Sequence, residues 1–459
     1  MLENSRIASP PKGNILEVWL LSYPLMLTAL SGNLMFAIDR MMLGNYSTLV
    51  MNGAAICMMA IWPIQFGGMV VTSIAEVFVG QHNGAKNYDK IGQPVWQMIW
   101  FALALNLLFV PLAFGADRLV IPAQYYDASV VYYRWIMGWA VTIPMIGALS
   151  AFFIGTGRVQ IVTIVAVFGN ILNIALDYLL IFGVKDYIPS MGAEGAAIAT
   201  VFSQMIQVVV LASMMFRPKF IKLYGLLKCQ INYDSMSSCL KFGLPNSVGK
   251  TLEILAWSAT FYLVADKDAT YISVLSIGQG ILCIFIFVTE GIEKGVTALV
   301  SNMIGAKVWD RIGTVIKSSI KLIFVISAVV ITTFIFLGET LIDLYLSNDL
   351  TVELHDSILR QSLIGSYFLL GYLIVDGIVW SIAGVLTAAG DTRFIMVANT
   401  FAAWAFAGVP FYFLVCKGDW PPFTMWVCTL FYGSVNLVMF YLRYRYGNWR
   451  KLVLNEGVK

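Results

Sequence analysis

Charge is scarce in this chain. Asp, Glu, Lys and Arg make up 12% of its 459 residues, against roughly 25% in an ordinary soluble protein. Hydrophobic residues make up 59%, and mean hydropathy is +0.79. Half the usual charge is too little to cover a globule of this size in water, which excludes a soluble protein. Histidine is nearly missing, with only His82 and His355, and the cysteines Cys57, Cys229, Cys239, Cys283, Cys416 and Cys428 show no CxxC spacing. A zinc cluster and a disulfide framework therefore have no support. No P-loop, HExxH or GxSxG occurs, and Gly155-Thr156-Gly157 is too short for a dinucleotide fingerprint. Nothing points to an enzyme or to a bound cofactor. The net charge of +3 is a small remainder of 29 basic and 26 acidic residues, and no basic run marks a nucleic-acid partner.

What is present is length in apolar runs. Stretches of about 20 residues, the length that crosses a bilayer, recur with few polar interruptions. They place twelve helical spans near 16–43, 53–81, 91–115, 128–154, 160–183, 193–216, 242–264, 270–305, 312–338, 357–389, 394–416 and 421–442. The alternating ten-residue segments of a membrane β-barrel are missing. The expected fold is an all-α polytopic membrane protein. Residues 1–14 are polar and the first apolar stretch is too long for a signal peptide, so that stretch is expected to remain as a span.

The basic residues set the orientation. Twenty of the 29 fall at the N-terminus, in loops on that same side or in the C-terminal tail, from Arg6 to Lys459. Five (Arg118, Lys185, Lys267, Arg360, Lys417) fall on the opposite side, and Arg40, Arg134, Lys250 and Lys294 fall inside spans. That asymmetry puts both termini in the cytoplasm.

The chain also repeats itself. Gly84-Ala85-Lys86-Asn87-Tyr88-Asp89-Lys90-Ile91-Gly92 returns as Gly305-Ala306-Lys307-Val308-Trp309-Asp310-Arg311-Ile312-Gly313, and the same offset of 221 carries Pro24 onto Pro245. Gly157 matches Gly390 at an offset of 233. Six spans per repeat makes the halves parallel. The expected organisation is a six-helix bundle over 1–216, a cytoplasmic linker over 217–238 and a second six-helix bundle over 239–459. Two such bundles facing one another are the architecture of a transporter.

The motifs resemble the multidrug and toxic compound extrusion (MATE) family. They include Ala37-Ile38-Asp39-Arg40-Met41-Met42-Leu43-Gly44, Ile61-Trp62-Pro63, Gly80-Gln81-His82-Asn83-Gly84-Ala85-Lys86 and Gly155-Thr156-Gly157. Next come Asn170 to Tyr178, Gly195 to Thr200, Gly243-Leu244-Pro245 with Glu253, and Ala389-Gly390-Asp391-Thr392-Arg393. Glu253, Tyr372 and Asp376 together are similar to the NorM-like branch. The resemblance implies V-shaped bundles around a central cavity. It also implies an antiporter that exports organic, cationic or amphipathic compounds in exchange for Na⁺ or H⁺. Its expected partners are a small-molecule substrate and membrane lipid, and it is expected to act as a monomer. A lipid-linked glycan flippase of the same superfamily and a dedicated exporter of one natural product are the alternatives.

A carboxylate at bilayer depth is costly, so each is a functional candidate. Asp39, Asn173, Asp177 and Thr200 are, by the resemblance, the cation site of the N-terminal half. Asn173 and Asp177 share a helix face, and an all-oxygen set suits Na⁺ while paired carboxylates can share a proton. Glu253, Tyr372 and Asp376 are, by the same resemblance, the cation site of the second half. Glu290, Glu293 and Lys294 depart from the family pattern. Lys294 stands four residues from Glu290, the spacing of a helical ion pair, and could instead reach Glu253. Lys250, three residues from Glu253, raises the same question. A lysine ammonium there would stand in for a metal cation.

Overall fold

The structure is a computed structural model that describes residues 5, 7, 8, 10–185, 187–264, 267, 269–346 and 351–452. Arg6 and Lys459, which enter the charge pattern above, lie outside the described residues. Among the described residues, twelve long helical segments carry the fold: α1 (Ile15–Tyr46), α2 (Thr48–Gly84), α3 (Tyr88–Gly115), α4 (Ala123–Gly155), α5 (Val159–Phe182), α6 (Ala193–Met215), α7 (Tyr233–Leu263), α8 (Ala269–Gly305), α9 (Trp309–Asp343), α10 (Val352–Ala388), α11 (Thr392–Lys417) and α12 (Thr424–Tyr446). Eleven are long and apolar enough to cross a membrane. The remaining one, α7, has 31 residues, but Lys241, Lys250 and Glu253 make it more polar than the others. No β-strand occurs among the described residues.

The apolar core has the shape of a Y. Its largest cluster joins both halves at the end where the termini lie, running from Val18, Val77 and Phe152 to Leu299, Val385 and Phe440. Toward the opposite end it divides. One branch is confined to α1–α6, with Leu43, Phe109 and Tyr132, and the other to α7–α12, with Val274, Leu369 and Trp426. The bundles are therefore joined at one end and separately packed at the other, the V that the resemblance implies.

The repeat is visible in the backbone. Lys86 and Lys307, at the same offset of 221, both adopt a left-handed conformation, with φ of 60° and 59°. Each is followed by one short 3₁₀ turn, Tyr88–Lys90 and Trp309–Arg311. Gly157 and Gly390 share a positive φ of 73° and 84°, the role glycine serves at a helix C-terminus. The two copies clasp each other. Gln81 Nε2 donates to Ala388 O at 2.9 Å, and its counterpart Asn302 donates through Nδ2 to Gly155 O at 2.8 Å. Asn83 Nδ2 also donates to Asn302 Oδ1 at 2.7 Å. Gly84 lies against the Asn302 backbone and Gly305 against that of Gln81, so a side chain on either glycine would drive the helices apart.

The polar segment between the bundles is not a free linker. It contains a helix, Pro218–Tyr224, whose Phe220 and Tyr224 are buried. The guanidinium of Arg158 lies 5.0 Å and 5.5 Å from their ring centroids. Beyond it, Trp96, Gln97 and Trp100 of α3 donate to the carbonyls of Leu226, Gln230 and Cys229 at 2.8–3.1 Å. At the other end of the chain's path, the corner between α3 and α4 is fixed by Arg134. It donates through Nη2 and Nε to Asp117 Oδ2 at 2.6 Å and 3.0 Å.

Two tests follow from these contacts. Asn302→Ala removes an inter-bundle hydrogen bond at each of two partners and should lower unfolding stability by about 1–3 kcal/mol, measured by thermal unfolding in detergent. The Arg134 hydrogen bond holds the Asp117 carboxyl below its usual range, against the opposing effect of burial. Its stabilisation is therefore complete above about pH 4 and is lost as pH falls through the lower folded value. Asp117→Asn should lower the unfolding temperature at neutral pH, and the gap from the parent should close in acid.

Candidate ion and substrate sites

In the first bundle, α1, α5 and α6 bring the predicted quartet together. Thr163 Oγ1 on α5 donates to Pro24 O at 2.7 Å, and Asn170 Nδ2 donates to Ser31 Oγ at 2.9 Å, which fixes α5 against the proline-containing α1. One turn farther, Asn173 Nδ2 points at Thr200 Oγ1 at 3.4 Å. Asp39 and Asp177 lie within electrostatic reach of one another. Asp177 and Asn173 are essentially inaccessible, at 0% and 1% exposure. Both carboxylate oxygens of Asp177, Oδ1 of Asp39 and Oδ1 of Asn173 have no hydrogen-bond partner. Orphaned oxygens at this depth are expensive, and a cation or a proton would satisfy them. Tyr132 of α4, buried at 3% exposure, lies near both aspartates.

The second bundle is arranged differently. Asn399 Nδ2 on α11 donates to Glu253 Oε2 at 2.7 Å, and the one hydroxyl hydrogen of Tyr432 on α12 is shared between Asn399 Oδ1 at 2.8 Å and Glu253 Oε1 at 3.3 Å. Asn436 Nδ2 in turn donates to Asn399 Oδ1 at 2.8 Å. On α10, Tyr372 OH and Trp380 Nε1 both donate to Asp376 Oδ1, at 2.9 Å and 3.0 Å. Glu253 and Asp376 feel one another's charge, and the Tyr372 and Tyr432 rings stack at 6.3 Å. Here the carboxylates have donors already.

The expected Glu290–Lys294 ion pair does not form among the described residues. The pair that forms is Lys250 with Glu293, at 3.2 Å, and Lys250 also lies within reach of Glu290 and Glu253. Helical spacing pointed to Lys294, but the long side chain of Lys250 on α7 reaches across to that acidic face of α8. Lys294 does not join Glu253. It lies near Glu76 of α2, which is buried at 6% exposure with Oε2 unpartnered. Arg40 is exposed and lies 5.6 Å from the Phe36 ring centroid, and its charge still reaches Asp39. Tyr132, Trp380, Asn399, Tyr432 and Asn436 were not anticipated. Tyr432 and Asn436, one turn apart in an apolar span, carried a readable signal. Among the described residues no three His, Cys, Asp or Glu side chains form a metal cluster.

Two parallel six-helix bundles, joined at one end and each holding buried carboxylates, define a membrane transporter. The chain belongs to the MatE family, whose model matches it twice, over residues 24–179 and 245–414, once in each bundle. Relatives include a probable multidrug resistance protein NorM of Thermotoga maritima, 25% identical over 440 residues that span 92% of this chain and 90% of that protein. A probable multidrug resistance protein NorM of Oceanobacillus iheyensis is 25% identical over 417 residues, 88% of this chain and 90% of that one. Among solved structures, a multidrug resistance MATE family transporter of the MOP superfamily in its outward-facing conformation superposes with a TM-score of 0.84. It shares 15% identity and covers 97% of this chain and 96% of that one. A eukaryotic MATE transporter superposes with a TM-score of 0.78 at 20% identity, over 95% and 96% of the two chains.

The Asn399 network yields a further test. Asn399→Leu strips Glu253 of its amide donor and leaves Asn436 and Tyr432 facing an apolar group. Unfolding stability should fall by about 1–3 kcal/mol, seen as a lower transition temperature in detergent.

Proposed function

We propose that this chain is a cation-coupled antiporter that exports organic, cationic or amphipathic compounds across the cytoplasmic membrane, with Na⁺ or H⁺ moving inward. Residues 1–216 and 239–459 act as its two lobes, with 217–238 as a cytoplasmic linker, and a single chain is the working unit. Both termini face the cytoplasm on this reading, which the 20-to-5 bias of basic residues supports. The clasped end is then the cytoplasmic one, and the V opens outward.

One observation carries the reading: the orphaned oxygens of Asp39, Asn173 and Asp177 in the N-lobe. Buried carboxylates without donors are poised to take up a cation or a proton, with Thr200 completing the set. Neutralising them removes buried charge from the contact between α1 and α5. It thereby changes the relative stability of the outward- and inward-open states, the differential affinity that an ion needs to drive transport. Glu253, Tyr372 and Asp376 form a second carboxylate site in the C-lobe. Glu290, Glu293 and Lys294 belong to its intramembrane charge network, through Lys250 in the case of the two acids. The membrane potential adds about 2.3 kcal/mol per charge per 100 mV. The flippase alternative needs a cationic cavity, yet Arg134 and Lys250 are engaged by Asp117 and Glu293.

The test is drug efflux from proteoliposomes under separately imposed Na⁺ and pH gradients. Asp39→Asn and Asp177→Asn should each reduce gradient-driven export tenfold or more while the protein stays folded. Export that survives both substitutions undiminished would show that the N-lobe carboxylates do not couple transport.

A further inference from the structure

The two lobes share a backbone but not an electrostatic environment, and the difference centres on Lys250. Its ammonium has three donors. It lies 3.2 Å from Glu293 Oε2 and 3.9 Å from the ring centroid of Trp380. Side-chain exposure is only 18% for Lys250 and 12% for Glu293, so water screens the pair weakly. Glu290, Glu253 and Asp376 lie within electrostatic reach of the same ammonium. Trp380 links the parts, since its ring face meets Lys250 while its Nε1–H donates to Asp376. From the neighbouring helices, Asn399 and Tyr432 donate to Glu253, and Tyr372 donates to Asp376.

We propose that the Lys250 ammonium occupies the C-lobe carboxylate cluster in the position a metal cation would take, so that this cluster is closed to Na⁺ while Lys250 is present. This rests on the reading of the buried carboxylates as ion sites and assigns the two lobes different chemistry. An alkali cation entering among Glu253, Asp376 and Glu293 meets a like charge fixed a few ångströms away. In a poorly screened site that repulsion weakens binding by about a hundredfold or more. It meets donors as well, because Asn399, Tyr432, Tyr372 and Trp380 aim N–H and O–H groups at the oxygens a metal would need. Among the described residues no lysine is paired with the N-lobe carboxylates; both oxygens of Asp177 and Oδ1 of Asp39 lack donors, and the Arg40 guanidinium acts on Asp39 from an exposed position. Any metal coupling is therefore confined to the N-lobe, and the C-lobe network responds to protons or to organic ammonium groups that compete with Lys250.

The test is binding of radioactive Na⁺ to the purified full chain in detergent, by equilibrium dialysis at neutral pH. An Asp177→Asn background removes the N-lobe contribution. In that background the protein should show no saturable Na⁺ site with Lys250 or with Lys250→Arg. Lys250→Gln should create about one site per chain, with apparent affinity raised about a hundredfold, and adding Glu253→Gln should abolish it. Saturable Na⁺ binding in the Asp177→Asn protein that Glu253→Gln removes would overturn the proposal. So would a folded Lys250→Gln protein that gains no site. Should Lys250→Gln fail to fold, the same question is answered with Lys250 in place. Na⁺ binding of the unsubstituted chain should be unchanged by Glu253→Gln, and a loss would overturn the proposal. These readouts are independent of transport, so failure here is distinguishable from failure of N-lobe coupling.

Discussion

Everything in this molecule hangs from the crossing of two helix ends. At Gly84 and Gly305 the C-terminal ends of α2 and α8 touch backbone to backbone, which no larger residue would allow. On either side, Gln81 and Asn302 reach across to carbonyls of the opposite bundle in a reciprocal pair. Because the contact is made by the same segment of each repeat, it lies on the pseudo-twofold axis, and the bundles must diverge from it. The division of the apolar core into two branches away from this point is its direct consequence.

The crossing fixes where the ionisable groups sit. Asp39 and Asp177 lie beyond the joined core, in the branch that belongs to one bundle alone, so a change in their charge acts within that bundle. The C-lobe acids are spread from Glu253 and Asp376 down to Glu293, close to the joined core, and Lys294 continues the charge to Glu76 across the interface. Thus the second lobe's charges extend to the contact between the lobes, where they meet Glu76, whereas Asp39 and Asp177 of the first remain in their own branch. Backbone symmetry is preserved while the electrostatics are not.

Much of this architecture was legible in the chain. Span number followed from apolar length, and the repeat from a nine-residue segment whose lysines adopt matching left-handed conformations. Asp39, Asn173, Asp177 and Thr200 were legible as polar interruptions of apolar helices, with family motifs to group them. What sequence spacing could not supply was the rotation of one helix against another. Glu290 and Lys294 have ideal intrahelical spacing, yet the partner that matters, Lys250, comes from α7. Asn399 was hidden for the same reason, since its importance lies in a carboxylate that the chain places 146 positions away. The linker was misleading in composition: its charges face outward while Phe220 and Tyr224 anchor it.

The polarity of the clasp also bears on how the bundles move. Gln81–Ala388, Asn302–Gly155, Asn83–Asn302, Ser247–Gly67 and Ser318–Gly13 are all hydrogen bonds between the bundles, the fourth at mid-helix and the others near the joined end. Each is worth about 1 kcal/mol net, because the freed groups regain water when the contact opens. Five of them sum to roughly 5 kcal/mol, the scale of about two charges moved through 100 mV, each worth about 2.3 kcal/mol. A purely apolar seam of the same extent would have no such compensation from water on opening. A polar clasp therefore holds the bundles in register while the water regained by its freed groups keeps the cost of opening small.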